Sequence, residues 1–369
     1  MSTVRQRNYS SSEAKDAKLK ESKNGSPKTK QKENENKGFY RIFLKKFLKQ
    51  ICWVLFFLYV VIPVFVKTNP WIHTKLVFLN MVRWPPFIDL TKPEGFGLKG
   101  VRNFYLDVNK ESRIGVWQIL PSSDVDKQED FDELLGNGKA VVLYLHGTTG
   151  TRAGWHRVQL LKLLASLDLH VIAFDYRGYG DSKGSPTEDG VVEDSYFMYK
   201  WIKQRSKDAT VILWGHSLGT AITTKLARQL CLRNEDPDGV VLESPFNNIR
   251  DAAVRHPFTA LYRFLPMFKE VFIDTIAENG IYFSSDENIA QVTSPLMMIH
   301  AEDDEIVPYE LGRKLYDALQ RSRPVGSASI EFITFNASQG LGHKHIFKAI
   351  EMPNIIKTFV FKTCKRENV

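Results

Sequence analysis

Two Gly-x-Ser-x-Gly pentapeptides occur in this chain, Gly180-Asp181-Ser182-Lys183-Gly184 and Gly215-His216-Ser217-Leu218-Gly219. Only the second runs directly out of an apolar segment, residues 211–214, and into a helical pattern, residues 221–230. A serine on such a tight strand-to-helix turn is held in a strained backbone conformation with its hydroxyl exposed above the sheet, and the flanking glycines keep side chains out of its way. The helix that follows presents backbone N–H groups to a developing oxyanion. Ser217 is therefore the expected nucleophile. Ser182 lies in the turn-rich run 177–186, where glycines serve turns and no strand feeds the serine.

A nucleophilic serine needs a base, an acid and oxyanion donors, and the chain offers them after its apolar runs. Residues 140–145 lead into His146-Gly147-Thr148-Thr149-Gly150-Thr151, a small-residue turn whose Thr148 N–H would complete a two-donor oxyanion hole with the Leu218 N–H. Residues 296–299 lead into His300-Ala301-Glu302-Asp303-Asp304, which offers the acid, and residues 329–334 lead into Gly340-Leu341-Gly342-His343-Lys344-His345, which offers the base. The order Ser, Asp, His is that of the nucleophile-elbow class. His146 is expected to brace the oxyanion loop, and His216 to point away from the chemistry. His73, His156, His170 and His256 read as structural or solvated.

These groups must be positioned by a sheet. Residues 103–108 and 114–120 read as an opening hairpin, and six further short, apolar, β-branched runs follow at 140–145, 170–174, 210–213, 239–242, 296–299 and 329–334. Amphipathic stretches at 153–167, 188–205, 218–230, 309–319 and 346–361 separate them. Apolar strands without clean alternation, interleaved with helices, predict an α/β fold with a mostly parallel sheet covered on both faces, its chemistry at the carboxyl ends of the strands. The stretch 246–283 breaks this rhythm with Phe258, Leu261, Tyr262, Phe264, Leu265, Met267, Phe268, Val271 and Phe272. It is expected to cap the site and offer an apolar acyl tunnel.

The 369 residues, 43% apolar and 12% aromatic, suffice for one large core, and their net charge of +8 is unevenly placed. Residues 1–50 hold 14 Lys and Arg against 5 Asp and Glu, whereas the rest hold 36 against 37. The globular part thus has no electrostatic reason to bind nucleic acid. Residues 10–37, rich in Ser, Lys, Glu and Asn, read as disordered within a basic tail, residues 1–46. Residues 51–66 then form an uncharged run closed by Lys67, about 24 Å long as a helix; Phe47, Leu48 and snorkelling lysines extend it towards a bilayer span. Residues 47–67 therefore read as a single-pass signal anchor, its basic side cytosolic and the remainder lumenal or extracellular. A linker, 68–100, carries Trp71, Phe78, Trp84 and Phe87, which suit either an interfacial layer or packing on the catalytic domain, residues 101–369.

Three cysteines, Cys52, Cys231 and Cys364, allow at most one disulfide. Asn336-Ala337-Ser338 is the one glycosylation sequon beyond the anchor. No His, Cys or Asp cluster has metal-ligand spacing, and Gly178-Tyr179-Gly180 lacks the third glycine of a dinucleotide loop, so neither metal nor cofactor is expected.

Several motifs lie in register with one family: Leu76-Val77-Phe78-Leu79-Asn80, Phe87-Ile88-Asp89-Leu90, Phe174-Asp175-Tyr176-Arg177-Gly178-Tyr179-Gly180-Asp181-Ser182, the Ser217 pentapeptide with Thr220, Glu243-Ser244-Pro245-Phe246, His300-Ala301-Glu302-Asp303-Asp304 and His343-Lys344. From about residue 50 to 365 the chain resembles the α/β-hydrolase fold family. It is more closely similar to the membrane-anchored lysophosphatidylserine and monoacylglycerol lipases of α/β-hydrolase-domain subfamily 12. The resemblance implies a membrane enzyme of the endoplasmic reticulum whose lumenal domain hydrolyses the acyl ester of lysophosphatidylserine, with monoacylglycerol and oxidised phosphatidylserine as related substrates. It favours Asp304 over Asp303, because Val307 and Pro308 follow at the family spacing, and His343 over His345. The chain departs from the family in its His146-Gly147-Thr148-Thr149 turn and in lacking a sequon near residue 100. A thioesterase, amidase or peptidase with the same triad, or an inactive membrane adaptor, are the alternatives.

Overall fold

A computed structural model describes residues 27–364; the tail before Pro27 lies outside the described residues. The chain divides into two compact units between Val64 and Phe65. The described part of the first is helical: α1 (Pro27–Phe56) passes through a π turn, Phe57–Val61, into α2 (Ile62–Thr68). Pro63 lacks an N–H and would clash with the carbonyl one turn earlier, and the wider π turn just before it accommodates that mismatch. Residues 27–37, expected to be disordered, are helical. Lys, Gln and Glu are good helix formers, and a Lys37–Glu33 pair one turn apart adds to them without any burial.

The second unit holds an eight-stranded sheet in the order β1-β2-β4-β3-β5-β6-β7-β8. β1 (Val101–Asp107) and β2 (Arg113–Ile119) form the expected antiparallel hairpin, and β2 pairs antiparallel with β4 (His170–Asp175). All other pairs, joining β3 (Val141–Leu145), β5 (Val211–His216), β6 (Gly239–Glu243), β7 (Leu296–Ala301) and β8 (Ile330–Phe335), are parallel. Alternate residues feed two separate cores. Val141, Leu143, Leu213, Leu242 and Met298 lie in one, while Val142, Tyr144, Trp214, Val241 and Met297 lie in the other. Burial on both faces is why the strands read as continuous apolar runs.

Around the sheet lie α4 (Trp155–Ser166), α5 (Glu188–Arg205), α6 (Leu218–Cys231), α7 (Tyr309–Ser322) and α8 (Met352–Cys364), preceded in the chain by α3 (Trp71–Phe78). α5, α6 and α7 supply Val191, Leu226 and Leu311 to the first core; α4 and α8 supply Leu161 and Phe359 to the second.

The linker belongs to the catalytic unit, which begins at Phe65 and not at residue 101. Phe78, Leu90 and Leu98 are core residues, Trp117 Nε1 donates to Leu90 O at 2.9 Å, and Tyr179 donates its hydroxyl proton to Phe78 O. Of the four linker aromatics, Phe78 is buried, while Trp71, Trp84 and Phe87 stay exposed. The cap between β6 and β7 is built from short pieces, Ile249–Arg255, Pro257–Thr259, Lys269–Ile273 and Asp274–Glu278. Its apolar residues divide: Phe246, Phe268, Val271 and Ile276 are buried, and Phe258, Leu261, Phe264 and Met267 face outward rather than lining an enclosed tunnel.

Candidate active site

Ser217 follows the last residue of β5 and serves as N-cap of α6, with φ 55° and ψ −121°. A non-glycine residue in that region is strained, and the surroundings hold it there. Its N–H donates to Glu243 O at 2.9 Å on the neighbouring strand end. A Cβ at Gly219 would meet the Leu145 carbonyl, and one at Gly215 would meet the Gly219 carbonyl, so both pentapeptide glycines are required by close backbone approach. The first pentapeptide is different. Ser182 Oγ donates to Asp175 O at 2.7 Å and accepts from Gly115 N at 2.9 Å, pinning its turn to the sheet.

His343 lies in the loop after β8, and its Nδ1 is 2.7 Å from Asp304 Oδ2 in the loop after β7. Asp304 Oδ1 accepts from the backbone N–H groups of Ile306 at 3.0 Å and Val307 at 2.9 Å. Burial pushes the Asp304 carboxyl up, but the His343 charge and a contact with His300 outweigh it and hold the carboxyl well below the usual carboxylate range. A carboxylate fixed this way holds the proton on His343 Nδ1 and leaves Nε2 free as a base. The neighbouring Asp303 instead accepts from Gly342 N at 3.0 Å, and His345 packs its ring 5.9 Å from that of Trp155. Asp303 thus braces the loop that carries His343.

His216 does not point away. Its ring is buried 4.9 Å from that of His343, and its Nε2 donates to the His343 carbonyl at 2.9 Å. Burial and the nearby His343 hold the imidazole down at about 3, so it is neutral and acts as a strut between the elbow and the base loop. Among the described residues Ser217 Oγ makes no hydrogen bond; such contacts are often long in resting hydrolases and tighten with substrate.

The turn after β3 is fastened from below. Arg157, buried on α4, donates from Nη1 to Thr151 O at 2.7 Å and from Nη2 to Gly147 O at 3.2 Å and to Thr149 O. Three carbonyls of the loop therefore face Arg157. Neither the Thr148 nor the Leu218 N–H has a hydrogen-bond acceptor among the described residues, so both are free for an oxyanion. No carboxylate pairs with Arg157 among the described residues, which leaves a positive charge beneath the loop. His146 braces the same turn, as expected: its Nδ1 donates to Gly147 O at 2.8 Å, and its ring packs 4.3 Å from that of Tyr176. In the cap, His256 is held below the ordinary histidine value first by burial and then by the charge on His343.

His216 and His300 stood within sequence motifs without a supporting role assigned to them, and Arg157 stood in none. His300 sits buried with Nε2 2.9 Å from Val307 O and 3.4 Å from Asp304 Oδ2. A signal existed for Arg157 alone, as one cation inside the apolar face of α4. No group of His, Cys, Asp and Glu among the described residues has the geometry to hold a metal ion. Cys231 and Cys364 are both free.

A sheet of this order with a strained serine at the end of β5 defines the class: an α/β hydrolase of the nucleophile-elbow type. A family model described as the alpha/beta hydrolase fold matches residues 140–270. Among solved structures, an α/β hydrolase from Vibrio vulnificus aligns with TM-score 0.58 at 18% identity, covering 78% of this chain and 92% of that one. The esterase Pf2001 of Pyrococcus furiosus aligns with TM-score 0.56 at 19% identity, over 77% and 98%. These likenesses carry the fold. Sequence relatives go further: lysophosphatidylserine lipase ABHD12 of Danio rerio is 46% identical over 318 residues, 85% of this chain and 83% of its own. The Mus musculus protein of that name is 46% identical over 321 residues, 86% and 81%, and human protein ABHD12B is 36% identical over 292 residues, 78% and 80%. The chain belongs to the ABHD12 family of α/β hydrolases.

Proposed function

We propose that this protein is a membrane-anchored serine hydrolase that cleaves the acyl ester of lysophosphatidylserine, with monoacylglycerol and oxidised phosphatidylserine as related substrates. The observation that carries the chemistry is the 2.7 Å contact of Asp304 Oδ2 with His343 Nδ1, on a loop that His216 ties to the elbow serine. The relatives named lysophosphatidylserine lipase support the substrate.

In this reading His343 Nε2 takes the Ser217 proton as Oγ attacks the acyl carbonyl, and Asp304 stabilises the imidazolium. The Thr148 and Leu218 amides hold the oxyanion. As the tetrahedral intermediate collapses, His343 returns the proton to the departing glycerol oxygen, leaving an acyl ester on Ser217. Water, activated by the same histidine, then releases the fatty acid. No metal or cofactor takes part.

The anchor reading rests on the helix Gln31–Thr68, the one described helix long and apolar enough to cross a membrane. Its basic approach supports a reading with the amino terminus in the cytosol and the catalytic unit in the lumen of the endoplasmic reticulum. The exposed Asn336 carries the one glycosylation sequon beyond the anchor.

The direct test is a panel of lysophosphatidylserine, monoacylglycerol, a thioester and a peptide on the purified full chain beside Ser217→Ala. We expect the lysophosphatidylserine ester to be cut fastest and the variant to lose at least about a thousandfold in kcat. Full activity in the variant would remove Ser217 from the mechanism, and faster thioester or peptide cleavage would redirect the substrate class.

A further inference from the structure

The outward residues of the cap form an ordered ridge. Between Pro257 and Phe268 the backbone turns by successive i to i+3 hydrogen bonds: Ala260 to Pro257, Tyr262 to Thr259, Leu265 to Tyr262 and Phe268 to Leu265, at 2.9–3.1 Å. Side chains three apart on such a path eclipse one another. Phe258, Leu261, Phe264 and Met267 have that spacing and are 58–68% exposed, while Phe268, Val271 and Ile273 secure the segment from its inner side.

The two ends of this segment are tied to different places. At one, the ring of His256 lies 4.8 Å from that of Phe258, and Arg263 Nη2 donates to His256 O at 2.9 Å. At the other, the cap is fastened to the residues that follow the apolar helix. Lys67 Nζ donates to Glu270 O at 3.0 Å and pairs with Glu278 at 3.3 Å. Buried His73 contacts Val271 O at 3.0 Å and Thr275 Oγ1 at 2.6 Å.

Lys67 closes the uncharged run, so in a chain anchored by residues 47–67 its ammonium lies at the membrane surface. Lys67 is bonded to the cap, so the cap lies there too. We infer that the ridge Phe258-Leu261-Phe264-Met267 docks into the headgroup and acyl boundary of the bilayer that holds the anchor, keeping the catalytic unit against the lipids of that leaflet. The inference rests on the anchor reading. The neighbouring exposed Arg263 and Lys269 suit the lipid phosphates above the ridge.

The test uses the full chain reconstituted in phosphatidylcholine vesicles. Phe264→Trp adds one indole to the ridge, and lipids brominated near the carbonyl end of the acyl chain should quench the added emission. A quadruple variant, Phe258→Ser with Leu261→Ser, Phe264→Ser and Met267→Ser, should lose about tenfold on vesicle-embedded lysophosphatidylserine while a soluble short-chain ester is cut within about twofold of the parent rate. An unquenched indole overturns the inference, and so does an equal loss, or no loss, on both substrates. Alkaline carbonate extraction separates the two readings. Extraction of the parent chain from the vesicles refutes the anchor, whereas a retained chain with an unquenched indole refutes the docking alone.

Discussion

The proposed site is held by side chains packed behind it. Arg157 spends its guanidinium on three carbonyls of the oxyanion turn, an arrangement that aims the Thr148 amide the other way. Replacing it by Met should lower kcat by about a hundredfold, the scale of losing one oxyanion donor, with little change in KM. Lysine keeps the charge but not the fork, so Arg157→Lys should fall between the two. Steady-state kinetics on a soluble ester, with thermal unfolding showing that the variant is folded, checks this; a kcat within twofold would free the loop from Arg157. The strand-to-helix turn at Ser217 and the Asp304–His343 contact follow from local motifs in the sequence, in the order that the proposed mechanism uses. The struts Arg157, His216 and Asp303 were not legible there, because a strut is defined by partners distant in sequence. His216 is the clearest case, its partner being 127 positions further on.

Elements were legible where periodicity reports burial. Each of the eight apolar runs became a strand; both faces of the central strands β3 to β7 are covered, while the edge strands β1 and β8 are only partly buried. The linker was open to two readings, an interfacial layer or packing on the catalytic domain, because its burial follows no period. Its fully buried core residues, Phe78, Leu90 and Leu98, with Val77, Ile88 and Phe96 packed against the cores, are too unevenly spaced to make a pattern. The same dense packing sets the acid stability of these elements. His146 and His156 are held below the ordinary histidine value first by burial, as are His170, down to about 4, and His216, down to about 3. The unfolded chain takes up a proton at each below about pH 6.5, and the folded chain does not, so their contribution is complete above that value and is lost as pH falls. Asp304 acts in the same direction below its own unfolded value, whereas Glu243, raised to about 7 by burial, costs stability as pH rises through that point. Thermal unfolding of the detergent-solubilised protein should therefore show a lower midpoint at pH 5 than at pH 6.5, each such histidine adding about 1.4 kcal/mol per pH unit. A flat or rising midpoint on acidification would contradict neutral buried imidazoles.

At the scale of the whole molecule, uneven charge was the informative feature. A net charge of +8 taken as an average points to nucleic acid; divided, it leaves a basic amino terminus ahead of an apolar helix and a nearly neutral catalytic unit. The proposed orientation has a simple readout. Treatment with an endoglycosidase should shift the parent chain by one glycan and leave Asn336→Gln unshifted, and protease added to sealed microsomes should spare everything beyond the anchor. Digestion of the catalytic unit in intact microsomes would place it in the cytosol. Substrate and nucleophile meet in a single measurement, fluorophosphonate labelling of the membrane-bound chain followed by peptide mass spectrometry, with and without lysophosphatidylserine. We predict one adduct, on the peptide containing Ser217, slowed by the lipid and accompanied by loss of lysophosphatidylserine hydrolysis. An adduct on Ser182 or another serine, or hydrolysis that survives complete labelling of Ser217, would contradict it.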